Sequence, residues 1–399
     1  MRSLRLDNNK YISLLAFAIV FGFAISNSFA ESSLDKIFFD NDLKIQEVLK
    51  NGGSPNAELS LGHTLLDAAS YGNNKNTIEI LLEKGANPNV SSTDGETPLM
   101  RVIRKFKDED LVKLFLTKGA IVNAKNKHGW TALKDAVDSE NPNIVKLLIE
   151  AGANVSDKTD DGDTALFWAS NQEIAQILIS KGVDVNALST NGNNALILQT
   201  KYHRLDMVSF LLTQGVNLEY KNNDGETAFI LAASGEQASG NVEYPITHFL
   251  LNSGADISDK DRYGKTALIY VSGDDSYDAE GGLKKLELVK LLVEKGALVN
   301  ERAKDGGTAL LAAASKGNAR IVEFLLESKA NPSLGYVDGY TPLMAASSFF
   351  GNLDIVNMLL KSGVDINSKD ASGKTALDYA RQSKKDEIVA ALLTSKKSN

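Results

Sequence analysis

The chain has 399 residues, a formal charge of −8, 43% hydrophobic and 24% charged residues, and no cysteine. Such a length and apolar content fit two domains or one elongated array with a packed core, and argue against disorder. The lack of thiols excludes disulfides, thiolate zinc sites, a cysteine nucleophile and a lipoprotein anchor. The acidic balance, with no basic stripe, makes DNA, RNA or an anionic membrane surface a poor partner.

Residues 1–30 read as a secretory signal peptide. Arg2, Arg5 and Lys10 give a positive start, and residues 11–25 form a mostly apolar run, suited to a signal core and short for a membrane span. Ser28 and Ala30 place small residues where a signal peptidase reads, so the mature chain is expected to begin at Glu31 with a charge of −10. An uncleaved anchor is the alternative. Residues 31–56 read as an incomplete first unit that caps the N-terminal end.

A six-residue phrase then recurs: LGHTLL from Leu61, DGETPL from Asp94, HGWTAL from His128, DGDTAL from Asp161 and NGNNAL from Asn191. It continues as DGETAF from Asp224, YGKTAL from Tyr263, DGGTAL from Asp305, DGYTPL from Asp338 and SGKTAL from Ser372. The ten glycines stand at 62, 95, 129, 162, 192, 225, 264, 306, 339 and 373, a period near 33. A second phrase is phased between the first, as in IEILLEKGANPN from Ile78 and LVKLLVEKGALVN from Leu288. Its apolar residues keep helical spacing and end at a glycine suited to a left-handed C-cap, and Thr97, Thr131 or Thr164 can cap the next helix. Each unit is therefore predicted as turn, short helix, tight loop, longer helix. One unit cannot bury its own apolar face, so stacking must make the core.

This pattern resembles the ankyrin repeat, whose phrase runs G-x-T-P-L-H-x-A-A and then I-V-x-L-L-L-x-x-G-A-D-x-N. The resemblance implies an all-α solenoid of helix-turn-helix units joined by β-hairpin-like turns. It implies ten repeats over residues 57–393, followed by a polar C-terminal tail, residues 394–399. Two departures matter. The histidine after T-P-L is replaced in every copy, by Asp67, Met100, Lys134, Phe167, Ile197, Ile230, Ile269, Leu311, Met344 and Asp378. Since that histidine ties neighbouring turns, stability is expected to lean on apolar packing, with softness in the fifth copy, where Asn194 replaces the threonine. Three spacings are also irregular. The inter-helix loop between Gly162 and Gly192 loses three residues, and segments 234–245 and 272–285 gain six and nine.

No catalytic set emerges. Gly264-Lys265-Thr266 and Gly373-Lys374-Thr375 echo a phosphate loop, but the glycine five residues earlier is Asp259 or Ser368, and both triplets coincide with the repeat's own turn. The acidic run from Asp157 has Trp168 where a calcium loop needs a bidentate Glu. His63, His128, His203 and His248 are scattered over different repeats and can form neither a metal site nor a triad. The expected protein is not an enzyme and needs no cofactor or metal. A hydrolase or metal enzyme using the acidic insertion is the remote alternative.

The resemblance places binding on a concave face made of turn tips and first helices. Tip slots there hold Glu96, Trp130, Asp163, Glu226, Tyr263 and Tyr340, and first-helix ends hold Tyr71, Arg104, Lys105, Tyr202, Phe349 and Phe350. Exposed aromatics suit an interface, although tip packing would equally account for Trp130, Tyr263 and Tyr340. Trp168 reads as core. Asp274, Asp275, Tyr277 and Asp278 belong to an acidic insertion expected to form a lip, where weak calcium binding, partner contact and neutral loop growth all remain open. The expected function is a monomeric module that grips a folded protein in the periplasm, with no membrane contact after signal cleavage. The alternative is a secreted effector that grips a host protein.

Overall fold

The computed structural model describes residues 42–58, 63–72, 74–234, 244–273, 283–349 and 351–398. Residues 1–30, expected as a signal peptide, most of the insertions and Phe350 therefore lie outside the described residues. The described chain is helical, without a strand, and falls into two compact units, Met1–Thr190 and Asn191–Asn399.

In the first unit α1 (Asp42–Lys50) stands alone and four pairs follow. They are α2 (Leu65–Tyr71) with α3 (Lys75–Glu83), α4 (Pro98–Phe106) with α5 (Glu109–Thr117), α6 (Ala132–Asp138) with α7 (Pro142–Glu150), and α8 (Ala165–Trp168) with α9 (Gln172–Ser180). The second unit has six pairs. These are α10 (Ala195–Lys201) with α11 (Leu205–Thr213), α12 (Ala228–Ala233) with α13 (Pro245–Asn252), and α14 (Ala267–Gly273) with α15 (Leu283–Glu294). Then come α16 (Ala309–Ser315) with α17 (Ala319–Glu327), α18 (Pro342–Ala346) with α19 (Leu353–Lys361), and α20 (Ala376–Gln382) with α21 (Asp386–Ser398). Within each unit first helices stack on first helices; second helices form a parallel row behind them. Leu99, Leu111, Val112 and Phe115 of one pair, and Leu133, Ile144, Val145 and Leu148 of the next, are buried between the two rows. The core is thus a continuous apolar layer built from the periodic positions of both phrases.

Local chemistry starts and stops each helix. The Thr97 hydroxyl accepts the Met100 N–H at 3.4 Å and Thr308 accepts that of Leu311 at 3.2 Å. Asn194 does the same for Ile197 at 2.9 Å, so the fifth copy keeps its cap and the expected softness there has lost one of its grounds. Second helices end on a left-handed glycine such as Gly152 (φ 92°), but Lys329 (φ 69°) fills that slot in the eighth copy. The shortening between Gly162 and Gly192 is expected from the sequence in the inter-helix loop. It is also taken from α8, which keeps only four residues. At the C-terminus α21 continues to Ser398, so residues 394–398, expected as a tail, are helical.

Between units of the repeat the chain makes finger-like turns. Ser92 N–H donates to Glu96 O (3.0 Å) and Tyr336 N–H to Tyr340 O (3.0 Å), a hairpin-like closure without strands. Each finger then donates to the one before: Lys127 N–H to Asp94 O (2.8 Å), Arg262 N–H to Asp224 O (2.8 Å) and Val337 N–H to Asp305 O (2.8 Å). This ladder explains the recurring glycine. Gly225 has φ +74°, and a Cβ there would meet the Arg262 backbone nitrogen at 2.7 Å. On the opposite edge, Asn123 donates to Gly152 O (2.9 Å) and accepts from Asn154 N–H (2.9 Å); Asn89 repeats this with Gly119 and Ile121. The asparagine of the second phrase is therefore a tie between neighbouring repeats.

Candidate interaction face

Fingers and first helices share one face of each unit, and on the first unit that face is a strip of charge and aromatic rings. Arg101, on α4, is only 4% exposed. Its guanidinium meets Asp67 at 2.5 Å and Glu96 at 2.8 Å and lies 3.9 Å over the Tyr71 ring. His63 also bonds Asp67, and Arg104 bonds Glu96. Asp67 occupies a slot of the absent histidine. That position is held by a buried ion-pair network, so at this slot the chain leans on charge pairing rather than on the apolar packing expected to take over from the histidine.

Two copies further on the same slot holds Lys134. Its ammonium lies 3.7 Å from the Trp130 ring centre and 4.8 Å from that of Trp168, and it donates to Asp138 at 2.5 Å. Two indoles and one carboxylate compensate a cation that burial would otherwise penalise. Asp135, beside it on α6, is less well served. Burial pushes its carboxyl up to about 7, against the opposing pull of Arg104 and Lys134. Asp163, on the following finger, is pushed up to about 6 by burial and by Asp161.

The second unit carries tyrosines instead. Asp261 Oδ1 accepts the N–H groups of Tyr263 (2.9 Å) and Lys265 (2.8 Å), and its Oδ2 accepts the Tyr270 hydroxyl (2.6 Å). Lys265 Nζ stands 5.3 Å from the Tyr270 ring. Asp370, Lys374 and Tyr379 repeat the arrangement one hundred and nine positions later in number, with Tyr379 bonded to Asp370 and its hydroxyl pushed up to about 12 by that bond. The two Gly-Lys-Thr triplets thus belong to finger-to-helix ties. Tyr340 stacks on Tyr336 (6.2 Å between centres) and meets Tyr379 edge-on (5.2 Å).

The residues expected to bind fall into three groups. Tyr263 (52% exposed), Tyr202 and Phe349 (75% exposed) are open on the surface, and Arg262 donates to the Tyr263 hydroxyl. Trp130, Tyr340, Glu96 and Glu226 are half-buried and already engaged, Glu226 by Asn222 Nδ2 at 3.0 Å. Trp168, read as core, is half-buried on the Lys134 ammonium. Phe350 and the insertion residues Asp274, Asp275, Tyr277 and Asp278 lie outside the described residues. Sequence reasoning missed Arg101, Asp135 and the packing of Tyr340 against Tyr336 and Tyr379. A tyrosine nine residues after an aspartate, twice, was the available signal for the finger ties. Among the described residues no group of three His, Asp or Glu could hold a metal, and no helix is long and apolar enough to cross a membrane.

Residues 39–261 and 276–370 match the family model for ankyrin repeats in overlapping windows of three copies. The chain is an ankyrin-repeat protein. An ankyrin repeat protein of fowlpox virus is 35% identical over 271 residues, 66% of this chain and 45% of its own length. The ankyrin repeat and KH domain-containing protein mask-1 of Caenorhabditis elegans is 28% identical over 339 residues, 83% of this chain and 11% of its own length. The human transient receptor potential cation channel subfamily A member 1 is 25% identical over 359 residues, 86% of this chain and 31% of its own. This ankyrin-repeat chain spans less than half the length of each of these three relatives.

Proposed function

We propose that the chain is a non-enzymatic protein-binding module that grips a folded partner with the finger and first-helix face. The observation that carries this reading is the strip from Tyr71 to Trp168, where aromatic rings and charges are held in place by contacts within the chain. Side chains fixed before docking lose little entropy on binding, and Trp, Tyr and Arg are the residues that dominate interface energies. Export rests on the leader-like residues 1–30 and supports a periplasmic partner. Extracts of periplasm, medium and membranes are the place to look for it.

The test is affinity capture with the purified chain beside a Trp130→Ala/Tyr263→Ala/Tyr340→Ala variant and a Lys146→Ala/Glu173→Ala variant. The latter pair forms an exposed bridge (2.9 Å) between second helices. A partner lost only with the triple variant supports the finger face. A partner lost only with the second-helix variant, or never captured from any fraction, refutes it.

A further inference from the structure

The strip on the first unit holds a charge that the fold leaves unsatisfied. Asp135 is 2% exposed, and its Oδ1 accepts no hydrogen bond. The nearest cation group, Arg104 Nη1, stands 3.7 Å away, beyond hydrogen-bond reach, while another nitrogen of Arg104 is committed to Glu96. Lys134, its neighbour, is committed to Asp138 and the two indoles. The groups that act on Asp135 are thus Arg104, Lys134, Glu96 and Asp138, and burial outweighs the two cations. On the whole strip carboxylates outnumber cations, because Asp163 adds a further buried acid without a bonded cation.

A buried carboxylate with an oxygen that no donor reaches is costly to the free chain, and an incoming cation with N–H groups would relieve that cost. Guanidinium fits better than ammonium. It is weakly hydrated, carries five planar donors and stacks on aromatic faces such as Trp130. Arg104 is 41% exposed, so its side chain can swing aside to uncover the acid. Resting on the finger-face reading above, we propose that this strip docks a basic segment of the partner protein, seating an arginine side chain beside Asp135 and against Trp130.

The chain's only two tryptophans, Trp130 and Trp168, both stand on this strip, so their fluorescence reports occupancy directly. The probe is the peptide acetyl-Gly-Arg-Gly-Arg-Gly-amide, titrated beside its citrulline and glutamate counterparts. The arginine peptide should give a saturable change, with affinity about tenfold weaker or worse for citrulline and no change for glutamate. Asp135→Asn, checked for folding by circular dichroism, should weaken the arginine peptide about tenfold or more, whereas Asp305→Asn on an exposed finger of the second unit should not. A bound cation keeps Asp135 ionised, so wild-type affinity should rise between about pH 6 and pH 8.5 and that of Asp135→Asn should stay flat. No saturable response, equal binding of the citrulline peptide, or full retention by Asp135→Asn overturns the inference. A captured partner lost with the triple finger variant yet kept by Asp135→Asn would overturn this inference alone and leave the finger-face reading standing.

Discussion

Asp135→Asn should stabilise the first unit at alkaline pH and leave it unchanged in acid. Burial raises the Asp135 carboxyl from 3.8 to about 7. The sign follows from linkage: a group whose folded pKa is raised contributes stability below its unfolded pKa, and that contribution disappears as pH rises through the folded value. At about 1.4 kcal/mol per unit, the ionised buried acid penalises the fold by up to about 4 kcal/mol above pH 8, and relaxation of Arg104 should leave about 2 kcal/mol. Asn has the same shape and no charge. Urea unfolding followed by Trp130 and Trp168 fluorescence reads the first unit specifically, since both tryptophans lie in it. The variant should exceed wild type by about 2–4 kcal/mol at pH 8.5, and the two curves should converge below about pH 3.5. A gap of equal size at both pH values, or a variant less stable at pH 8.5, would refute the assignment of a strained buried carboxylate.

Four other outcomes are expected. Gly225→Ala combines a left-handed backbone with a Cβ 2.7 Å from the Arg262 nitrogen, and should lower stability by about 2–3 kcal/mol in a urea titration. Lys329→Gly puts the usual residue at φ 69° and should raise the melting temperature, with a gain of about 0.5–1 kcal/mol. Asn123→Ala removes the bonds to Gly152 O and Asn154 N–H and should cost about 1 kcal/mol, with faster amide exchange at Asn154 as its local signature. On the acid side, Asp108 is held below the usual carboxylate range by Lys75, and Asp378 by hydrogen bonds from Thr375. Their stabilisation is present above pH 4 and fades as pH falls through their folded values. With Asp135 acting in the opposite sense from its unfolded value upward, the urea midpoint of the chain should peak near about pH 4 to 4.5 and decline toward pH 7, and a monotonic rise to pH 8 would contradict the Asp135 assignment.

Much of the fold was readable because its determinants are local and periodic. The Thr97 cap, the Gly152 stop and the apolar spacing in residues 144–149 act within one helix, and their recurrence every 33 or so residues announces stacking. What escaped was the pairing of side chains one period apart. Arg101 finds Asp67 thirty-four positions back, and Asn123 finds Asn154 thirty-one positions ahead. Spacing alone does not say which of several polar residues at that distance will face each other. The same blindness made Glu96 look like an open tip residue. Its polarity is equally suited to water or to a neighbouring arginine, and the arginines are there.

The two units answer the missing histidine differently, and this bears on where binding should be sought. In the second unit the vacated slots are mostly apolar, as with Ile269, Leu311 and Met344, and Asp261–Tyr270 and Asp370–Tyr379 ties secure fingers to helices. Such ties complete themselves. In the first unit Asp67 and Lys134 bring full charges into the slots, and the chain recruits Arg101, Tyr71, Trp130 and Trp168 to compensate them. Buried charge is a poor source of net stability compared with apolar packing, but it fixes orientation and discriminates between partners. An arrangement that costs stability and still leaves Asp135 Oδ1 without a donor makes sense if a partner supplies one. Stability and binding should therefore trade against each other at Asp135, and the second unit should show no such trade.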